Sequence, residues 1–557
     1  MLTDNLVKTI EASLRDHWDL PALSDYQHEP LTYGAVAARI IRLHQLFGQH
    51  NLKKGAKIAL VGRNSANWAI VYLATVTYGA VIVPILPDFT ADSVQHIVNH
   101  SEAQLLFAAD AIYDRLDVEQ LPRLEAVFSL ANLRLLHSRR KHPGQAADAA
   151  APPPADQEAP APAPAPDTLA LPEVANDELE SIVYTSGTTG FSKGVMLTHN
   201  SLMANLLFAR ANIHLRAGDR IVSFMPLAHS YGCAFEFLFP IVVGCHITML
   251  GRTPSPKVIL EAFQAVRPRL ILSVPLVIEK IYRKQVRPVL QKPAVRWMSK
   301  VPPLGNLLLR KIGAKLQAAF GGEFLEIVVG GAALDPEVEA FFMKVGFPFT
   351  IGYGMTECGP LISYSSARDH RPLSAGRPIE FLELKIDSAD PHRVVGDVLV
   401  RGENVMLGYY KNEAATREVL SGDGWLNTGD LGTIDQDGHL YLRGRSKNMI
   451  LGPSGQNIYP EEIEAQLNNL PLVQESLVLQ KEGRLMALVY PDLEQADARK
   501  LDEGQIRQEM EANRQLLNRR LPAYSTIASI ELYPQEFEKT PTRKIKRFLY
   551  EPARASG

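Results

Sequence analysis

The sequence predicts an α/β protein with a large N-terminal α/β domain and a small α+β C-terminal domain. Three observations lead to this expectation. A chain of 557 residues can hold a large multi-layer domain and a smaller one. Residues 31–140 alternate strand-like apolar runs with helical stretches, which is typical of a mostly parallel sheet. Beyond about residue 445 the pattern changes to short, mixed helices and strands.

The first elements follow one another without long interruptions. Strand, helix, strand, helix and strand are predicted in turn for KIALVG (57–62), NSANWAIVYLATV (64–76), AVIVPI (80–85), ADSVQHIVNH (91–100) and QLLFAAD (104–110). Further strands are predicted at LRLLH (133–137), RIVSFMP (220–226), HITMLG (246–251) and LILSVP (270–275). The N-terminal part is therefore expected to contain more than one group of βα units.

One uncharged run, Ala69–Leu86, has the length of a membrane span. Gly79 and Pro84 interrupt it, and two threonines dilute its apolar character. We therefore expect a buried helix over about 68–77 that leads into a buried strand over about 80–85. No basic stretch followed by an apolar core opens the chain, so we expect no signal peptide.

Composition excludes several classes of protein. Hydrophobic residues make up 46% of the chain and charged residues 21%, which is ordinary for a globular protein. A formal charge of -3 gives no reason to expect a nucleic-acid partner. Three cysteines are too few for a disulfide framework and lack the spacing of metal ligands. A cytoplasmic location is the expectation.

An Ala- and Pro-rich stretch occupies residues 141–167. Such a composition cannot bury enough apolar surface to fold, so an extended segment is expected. A domain linker is one interpretation. Because a strand-like run resumes directly after it, we favour a flexible surface loop within one domain.

The boundary between the two domains is placed in HLYLRGRSKNMILGPSGQNIYPEEIEAQL (439–467). This run contains a strand at Leu440–Arg443, a turn rich in glycine and lysine, and a helix that starts at Pro460. We assign residues 1–444 to the N-terminal domain and 445–557 to the C-terminal domain, with a hinge near Arg445–Lys447.

The stretch YTSGTTGFSKG (184–194) follows the β-branched run ESIVYTS. Its hydroxyls, glycines and lysine offer hydrogen-bond donors, close backbone approach and positive charge to a polyphosphate. The residue after Lys193 is glycine, so the stretch is not a P-loop of the G-x-x-x-x-G-K-[ST] type. An ordinary loop is the alternative, but the density of these residues favours a nucleotide site at the carboxyl end of a strand.

Further motifs lie downstream in a fixed order. They are VVGGAAL (328–334), IGYGMTECGP (351–360), GWLNTGDLGTID (424–435), RGRSKNMILGPSGQNIYPEEIE (443–464) and EKTPTRKIKR (538–547). From about Leu31 to Tyr550 the chain resembles the adenylate-forming superfamily, with a multi-sheet N-terminal domain and a mobile C-terminal lid. The runs 272–284, 445–464 and 537–550 are most similar to bacterial long-chain fatty-acid–CoA ligases.

The resemblance implies that a carboxylate reacts with ATP to give an acyl adenylate and pyrophosphate, after which the thiol of CoA attacks. It implies ATP, Mg²⁺ and CoA as cofactors and a fatty acid as substrate. The implied nucleotide-binding residues are Thr185, Ser186, Gly187, Thr188, Thr189, Gly190, Gly331, Ala332, Tyr353, Gly354, Met355, Asp430, Arg445 and Lys447. The implied catalytic residues are Lys193, His229, Thr356, Glu357 and Lys544. Ser186 and Glu357 are the implied Mg²⁺ ligands, since carboxylate and phosphate oxygens suit this hard cation.

Individual roles follow from the same resemblance. Thr356 would bond the α-phosphate and Tyr353 would stack on adenine beside Gly331 and Ala332. Asp430 would accept hydrogen bonds from the ribose hydroxyls, with Arg445 nearby. Taken alone, Asp430 could equally be a turn residue, and Thr356 with Glu357 could be a helix cap.

The remaining implied roles concern the acyl group and the second domain. Lys544 would enter the site from the C-terminal domain and stabilise the charge of the adenylation transition state; alone it could be part of a solvated basic tail. His229 would lie at the mouth of the acyl pocket, or be a core histidine. The run AFEFLFPIVVG (234–244) would be a pocket wall or a plain buried helix. Lys447 matches the hinge residue of the family.

Two positions depart from the family pattern. Arg543 stands before Lys544, where glycine is common, and an arginine there predicts an ordinary backbone instead of a positive φ. Leu451-Gly452-Pro453 stands where many relatives carry a lysine. These differences leave open how the second half-reaction is supported.

Residues 280–315 contain ten lysines and arginines and no acidic residue. This segment is either a solvated face or a surface that meets an anionic membrane or the phosphates of CoA. A peripheral location at the inner membrane face and a homodimer are kept open as expectations.

Three other functions were weighed against the CoA ligase. An acyl-ACP synthetase or fatty acyl-AMP ligase would deliver the acyl group to a carrier protein. A catalytically inactive nucleotide-binding regulatory module would lack the charged site residues, yet Lys193, Glu357, Asp430 and Lys544 are all present. A kinase-like phosphotransferase would release ADP instead of AMP.

Overall fold

The structure is a computed structural model, and the part of the chain that it describes comprises residues 2–139, 165–185, 193–298, 301, 304–452, 456–540 and 544–551. The predicted α/β class is confirmed, because two large sheets with parallel cores are accompanied by helices. Most of the Ala- and Pro-rich stretch and residues 186–192 lie outside the described residues.

The strands, numbered β1 to β27 in chain order, are Pro21–Asp25, Leu31–Thr32, Lys57–Val61, Val81–Ile85, Leu105–Ala108, Ala126–Ser129, Leu135–Ser138, Leu179–Thr185, Lys193–Thr198, Arg220–Ser223, His246–Met249, Leu270–Ser273, Glu326–Val329, Phe349–Ile351, Tyr353–Gly354, Leu361–Tyr364, Arg377–Pro378, Leu382–Asp387, Gly396–Gly402, Gly408–Tyr409, Leu426–Ile434, Leu440–Arg445, Ile450–Leu451, Asn457–Ile458, Val473–Lys481, Arg484–Pro491 and Ile527–Leu532.

The α-helices, numbered α1 to α18, are Leu6–Asp16, Tyr33–Gln49, Ala66–Tyr78, Ala91–Ser101, Asp110–Tyr113, His199–Asn212, Ser230–Gly232, Phe239–Val243, Pro256–Val266, Pro275–Ile281, Arg287–Leu290, Pro293–Met298, Leu304–Ala319, Pro336–Val345, Glu413–Val419, Pro460–Leu467, Leu493–Ala498 and Glu503–Asn518. Two π-helical segments, Cys233–Leu238 and Tyr282–Val286, connect α7 to α8 and α10 to α11.

The first large sheet has the order β14-β13-β12-β10-β11-β1-β2, and all neighbours are parallel except β1 and β2. Leu270–Ser273 and Glu326–Val329 are buried along their whole length. Strands that are covered on both faces need continuous apolar runs, which is why Leu270–Ser273 could be recognised in the sequence; Glu326–Val329 was not predicted as a strand.

The second large sheet has the order β20-β9-β8-β4-β3-β5-β6-β7. Strands β8, β4, β3, β5 and β6 are parallel, whereas β9 returns antiparallel to β8. The β8–β9 hairpin therefore holds the two ends of the candidate phosphate loop at one edge of the parallel core.

The long apolar run is a helix and a strand, as the sequence predicts. Helix α3 begins where the Ser65 hydroxyl accepts the N–H of Trp68 at 3.1 Å. It ends at Gly79, which has a φ of +83° that favours glycine, and β4 follows at Val81. Within the described part of the chain, the helices are all too short or too polar to cross a membrane.

The run AFEFLFPIVVG forms the buried π-helical segment Cys233–Leu238 followed by α8. The sequence predicts a helix here but not its π-turn. The π-turn is accompanied by a buried carboxylate: Glu236 Oε2 accepts the N–H groups of Phe224 and Met225 at 3.0 and 2.9 Å. These bonds tie the helix to the segment that leads to His229.

Two smaller sheets lie in residues 353–445, which contain several of the motifs. Strands β18-β19-β21-β22 form an antiparallel sheet, and β15-β16-β17 form another. Strand β22 extends to Arg445, two residues beyond its predicted end. This extension places Arg445 directly opposite Asp430.

Residues after about 456 form a sheet of their own, β25-β26-β27, with α16 and α18. Its core includes Leu467, Val478, Val489 and Leu517, and it forms a cluster distinct from those of the two large sheets. The strands and the helix α18 agree with the α+β pattern that the sequence predicts for this region.

Candidate active site

The two ends of the candidate phosphate loop are fixed by the hairpin. Thr185 pairs with Lys193 across β8 and β9, and the Thr185 hydroxyl donates to the Lys193 carbonyl at 3.5 Å. The ammonium group of Lys193 lies 4.7 Å from the ring centre of Tyr409, within cation–π range. The other predicted loop residues lie outside the described residues: Ser186, Gly187, Thr188, Thr189 and Gly190.

Tyr409 joins Lys193 to Glu357. Its strand β20 pairs with β9, so that Tyr409 lies opposite Val195, two residues beyond Lys193. The Tyr409 hydroxyl donates to Glu357 Oε1 at 2.9 Å. Sequence reasoning missed Tyr409. Only its position in the short run GYY is visible in the sequence, and nothing there indicates two polar partners 52 and 216 residues away.

Glu357 belongs to a 3₁₀ turn, Thr356–Cys358, whose N-cap residue is Met355. No side chain caps this turn, so Thr356 and Glu357 are not helix caps. Gly354 approaches the chain closely, because a Cβ atom at this position would lie 2.2 Å from the Pro360 carbonyl oxygen. The backbone that carries Thr356 and Glu357 is therefore tightly packed, which limits the positions that their side chains can take.

Tyr353, Asp430 and Arg445 form one polar group. The Tyr353 hydroxyl donates to Asp430 Oδ2 at 2.6 Å, and Arg445 Nε lies 2.8 Å from Oδ1. Arg445 Nη1 also donates to the Thr428 carbonyl at 3.1 Å. Asp430 lies within the strand β21, so the turn interpretation is wrong for this residue.

The Asp430 carboxyl is only 11% exposed. Burial raises its pKa, whereas Arg445, the Tyr353 hydroxyl and Lys544 oppose the rise. Burial and the neighbouring Asp430 raise the pKa of Tyr353, so its hydroxyl remains a donor at physiological pH. Asp430 therefore offers a buried carboxyl group that Tyr353 and Arg445 hold in place.

We expect Asp430→Asn to raise the KM for ATP by about 10–100-fold with a smaller effect on kcat, because charge-assisted hydrogen bonds contribute about 1.5–3 kcal/mol each. Asparagine keeps the shape and can still accept from Tyr353, but it loses the charge that pairs with Arg445. Steady-state kinetics with varied ATP measures the effect. Asp437→Asn is the matched control, since its pair with Arg371 is exposed. An unchanged KM would argue against a nucleotide contact at Asp430.

Gly331 and Ala332 follow the carboxyl end of β13, next to Tyr353. Strand β13 pairs in parallel with β14, with Val329 opposite Ile351. Gly331, with a φ of +88°, follows Val329 by two residues, and Tyr353 follows Ile351 by two residues. Ligands of open parallel sheets bind at such carboxyl ends, so the structure brings these three predicted residues to one edge.

His229 lies at the start of α7, where Nδ1 accepts the N–H of Tyr231 at 3.3 Å. The imidazole is half-buried. Burial and the nearby charge of Lys544 lower its pKa to about 4, so it is neutral at physiological pH. His229 therefore has a structural hydrogen bond and also lies beside the predicted catalytic lysine.

Lys544 reaches the same cleft from the C-terminal segment. Its side chain keeps contact with solvent, yet the surrounding protein desolvates the ammonium group and, together with Arg445, lowers its pKa. Asp430 and Glu357 oppose this shift. Lys544 is thus an exposed residue that also lies within electrostatic reach of the candidate site, and its catalytic role stays a prediction. Arg543 lies outside the described residues.

Lys447 is exposed in the 3₁₀ turn Ser446–Asn448, directly after β22. The turn is tied to the next helix, since Asn448 Nδ2 donates to Glu461 Oε1 at 2.5 Å. Lys447 therefore lies between the sheet of Asp430 and the C-terminal core, and its role as a hinge stays a prediction.

The arrangement collects three cations and two carboxylates around one cleft, with a neutral histidine beside them. These are Lys193, Arg445, Lys544, Glu357, Asp430 and His229. Cations directed at one cleft stabilise the negative charge that develops during phosphoryl or nucleotidyl transfer. Among the described residues no cluster of three or more His, Cys, Asp or Glu could bind a metal by itself.

The sequence profile of AMP-binding enzymes matches residues 10–410. The chain is 31% identical over 456 residues to the long-chain-fatty-acid–CoA ligase FadD15 of Mycobacterium bovis, covering 77% of this chain and 71% of the relative. It is 27% identical to the chloroplastic long-chain-fatty-acid–[acyl-carrier-protein] ligase AEE15 of Arabidopsis thaliana, over 87% of this chain and 76% of the relative.

The fold is similar to that of ATP-bound MatB from Rhodopseudomonas palustris. The TM-score is 0.74 at 21% sequence identity, and the alignment covers 98% of each chain. At this identity the likeness concerns the fold. It includes the C-terminal sheet as well as the two large sheets, since nearly the whole chain is aligned.

Proposed function

The chain belongs to the AMP-binding enzyme family, and we propose that it is a long-chain fatty-acid–CoA ligase. It is an AMP-forming acid–thiol ligase. What we propose is the identity of the two substrates: a long-chain fatty acid as the acid and CoA as the thiol. The observation that supports it best is the convergence of Lys544, Glu357 and Lys193 on one cleft. A carboxylate is a poor electrophile, and the cleft has the charges needed to attach it to AMP.

The first half-reaction begins with ATP held by the β8–β9 hairpin and by Asp430. The substrate carboxylate attacks the α-phosphorus, a new P–O bond forms, and the bond to pyrophosphate breaks. Lys544 stabilises the negative charge at the α-phosphate, and Lys193 stabilises that on the departing phosphates. Thr356 donates to the α-phosphate from its fixed turn. The product is the acyl adenylate.

The donor set fits a Mg²⁺ ion that arrives with ATP. This ion is usually held by one or two carboxylates and by substrate phosphates instead of an all-protein cage. Glu357 supplies one carboxylate oriented by Tyr409, which agrees with the lack of a preformed cluster among the described residues. Bound there with Ser186, the ion would neutralise phosphate charge.

The second half-reaction transfers the acyl group to a thiol. The thiol sulfur attacks the acyl carbonyl and AMP leaves with the bonding electrons of the acyl–phosphate bond. Residues 445–557 form the lid, which rotates about Lys447 so that pyrophosphate and thiol use the cleft in turn. The separate C-terminal core and the exposed turn around Lys447 support this division into domains 1–444 and 445–557.

A carrier-protein phosphopantetheine is the second candidate for the acceptor. The similarity to AEE15 supports it, because that alignment covers 87% of this chain, more than the 77% aligned with FadD15. The chemistry of adenylation is the same in both cases. Only the group that brings the thiol differs.

The test is mass spectrometry of a reaction with ATP, Mg²⁺, CoA and a series of fatty acids from octanoate to stearate. We expect acyl-CoA with an equal amount of AMP, and the acid that is consumed fastest defines the chain length. Acyl-AMP that accumulates without thioester would support a carrier protein, to be added next as its phosphopantetheine form. Release of ADP, or the absence of any acyl-AMP, would contradict the proposal.

A further inference from the structure

Residues 276–307 expose apolar side chains to an unusual degree. Of the sixteen large hydrophobic side chains that are exposed in the described part of the chain, five lie in this stretch: Leu276, Val289, Trp297, Leu304 and Leu307. Trp297 is 67% exposed, the highest value of all sixteen, and Leu307 is 55% exposed. Contiguous exposed apolar groups of this kind mark interaction surfaces in soluble proteins.

On helix α13 the exposed apolar residues lie on the face that points away from the protein core. Leu309 and Leu316 are buried on its inner face, and Gly313 packs so closely that a Cβ atom would lie 2.7 Å from the Val345 carbonyl oxygen. The outer face carries Leu304 and Leu307 in its first turns. A helix anchored on one side normally presents polar residues on the other.

Cations surround these apolar residues. Lys280, Lys292, Arg310, Lys311 and Lys315 are exposed, and the described residues provide none of them with a carboxylate partner. On α13, Lys311 follows Leu304 and Leu307 at helical spacing and Lys315 continues the row. The outer face of α13 is thus apolar in its first turns and cationic further along.

Two neighbouring cations face the protein instead. Arg283 Nη2 donates to the Asn468 carbonyl at 3.1 Å, and Lys284 lies 3.4 Å from Glu494. These contacts join the segment to the C-terminal part of the chain. The surface that remains free therefore lies on α12 and α13, further along the segment.

A groove of about 910 Å³ lies between α9, α10 and the C-terminal end of α13, the opposite end of this helix from Leu304 and Leu307. Its lining includes the apolar residues Leu260, Ile281 and Ala319 and the cations Lys257, Lys280 and Lys284, with Glu261 as the acidic member. Lys257 pairs with Glu261 and Lys284 with Glu494, so Lys280 is the groove's cation that has no carboxylate partner among the described residues.

We propose that the face formed by α12 and α13 docks on an anionic lipid bilayer. Trp297, Leu304 and Leu307 enter the headgroup region while Arg310, Lys311 and Lys315 meet the lipid phosphates. A second copy of the chain is a poor occupant, because a symmetric contact would bring the same cations together. A nucleic-acid backbone would leave the leucines and the tryptophan exposed.

The test is co-sedimentation of the full chain with vesicles of phosphatidylglycerol and phosphatidylcholine, compared with vesicles of phosphatidylcholine alone. We expect binding to the anionic vesicles that weakens as salt is raised. Trp297→Ser/Leu307→Ser and Lys311→Glu/Lys315→Glu should each weaken it at least about tenfold. Leu373→Ser/Lys481→Glu is the matched control, since Leu373 is 59% exposed elsewhere on the protein.

Unchanged thermal unfolding midpoints ensure that the variants are folded. The proposal is overturned if the unaltered protein ignores anionic vesicles at low salt, binds both vesicle types equally, or binds as well after either double substitution. It is also overturned if size-exclusion chromatography shows a dimer that Trp297→Ser/Leu307→Ser dissociates. None of these readouts depends on the ligase activity.

Discussion

We expect Lys544→Ala to lower the rate of acyl-adenylate formation by about 10²–10³-fold, the usual effect of removing one preorganised group that stabilises a transition-state charge. The reason is specific to the cleft. Lys544 interacts with Arg445, Asp430 and Glu357, the groups beside which we propose that the α-phosphate reacts. ATP–pyrophosphate exchange measures this step directly, without the thiol.

Two comparisons separate this role from a general loss of structure. Lys546→Ala is the matched control, because Lys546 lies two residues away and is paired with Glu538 at 3.5 Å. Thioester formation from supplied acyl adenylate should change far less in Lys544→Ala, since no pyrophosphate has to leave. An exchange rate within threefold of the unaltered enzyme would contradict the assignment.

The pH profile gives a further readout of the same residue. Desolvation and Arg445 lower the pKa of Lys544, so the charged form that supports adenylation is lost at a lower pH than for an ordinary lysine. The exchange rate should therefore fall as the pH rises through this lowered pKa. In Lys544→Arg, which stays charged, this alkaline fall should disappear.

Glu357→Gln is expected to lower kcat/KM for MgATP by about 10²-fold or more. It should also raise the Mg²⁺ concentration needed for half-maximal activity. The reason is that metal affinity or activity falls by about 10–100-fold even when only the supporting partners of a metal ligand are removed. Glutamine keeps the size of the side chain and can accept the hydrogen bond from Tyr409, but it loses the negative charge. A Mg²⁺ titration at fixed ATP measures the effect.

Tyr409→Phe tests how the carboxylate is positioned. The variant keeps the aromatic ring beside Lys193 and removes only the bond to Glu357, so a smaller loss of about tenfold is expected. Glu413→Gln is the control, since Glu413 lies on the nearby helix α15 and is exposed. A Mg²⁺ midpoint that does not move in Glu357→Gln would exclude this residue as a metal ligand.

The sequence by itself determined the fold class and most of the large elements, and it predicted the candidate site residues apart from Tyr409. Parallel strands buried on both faces leave continuous apolar runs, and a nucleotide loop needs a dense set of glycines and hydroxyls. Both signals are local and can therefore be read along the chain. The length and interruptions of Ala69–Leu86 likewise sufficed to predict a helix and a strand.

Only the tertiary structure decided how distant residues meet. Tyr353 and Asp430 are 77 positions apart and Glu357 and Tyr409 are 52 apart, so their hydrogen bonds depend on sheet register that no local pattern encodes. The environment of Lys544 depends on how the C-terminal core packs against the sheet of Asp430. The exposure of Trp297 and Leu307 depends on which face of each helix packs against the rest of the protein. Burial depends on contacts between distant elements, so it cannot be read from one segment.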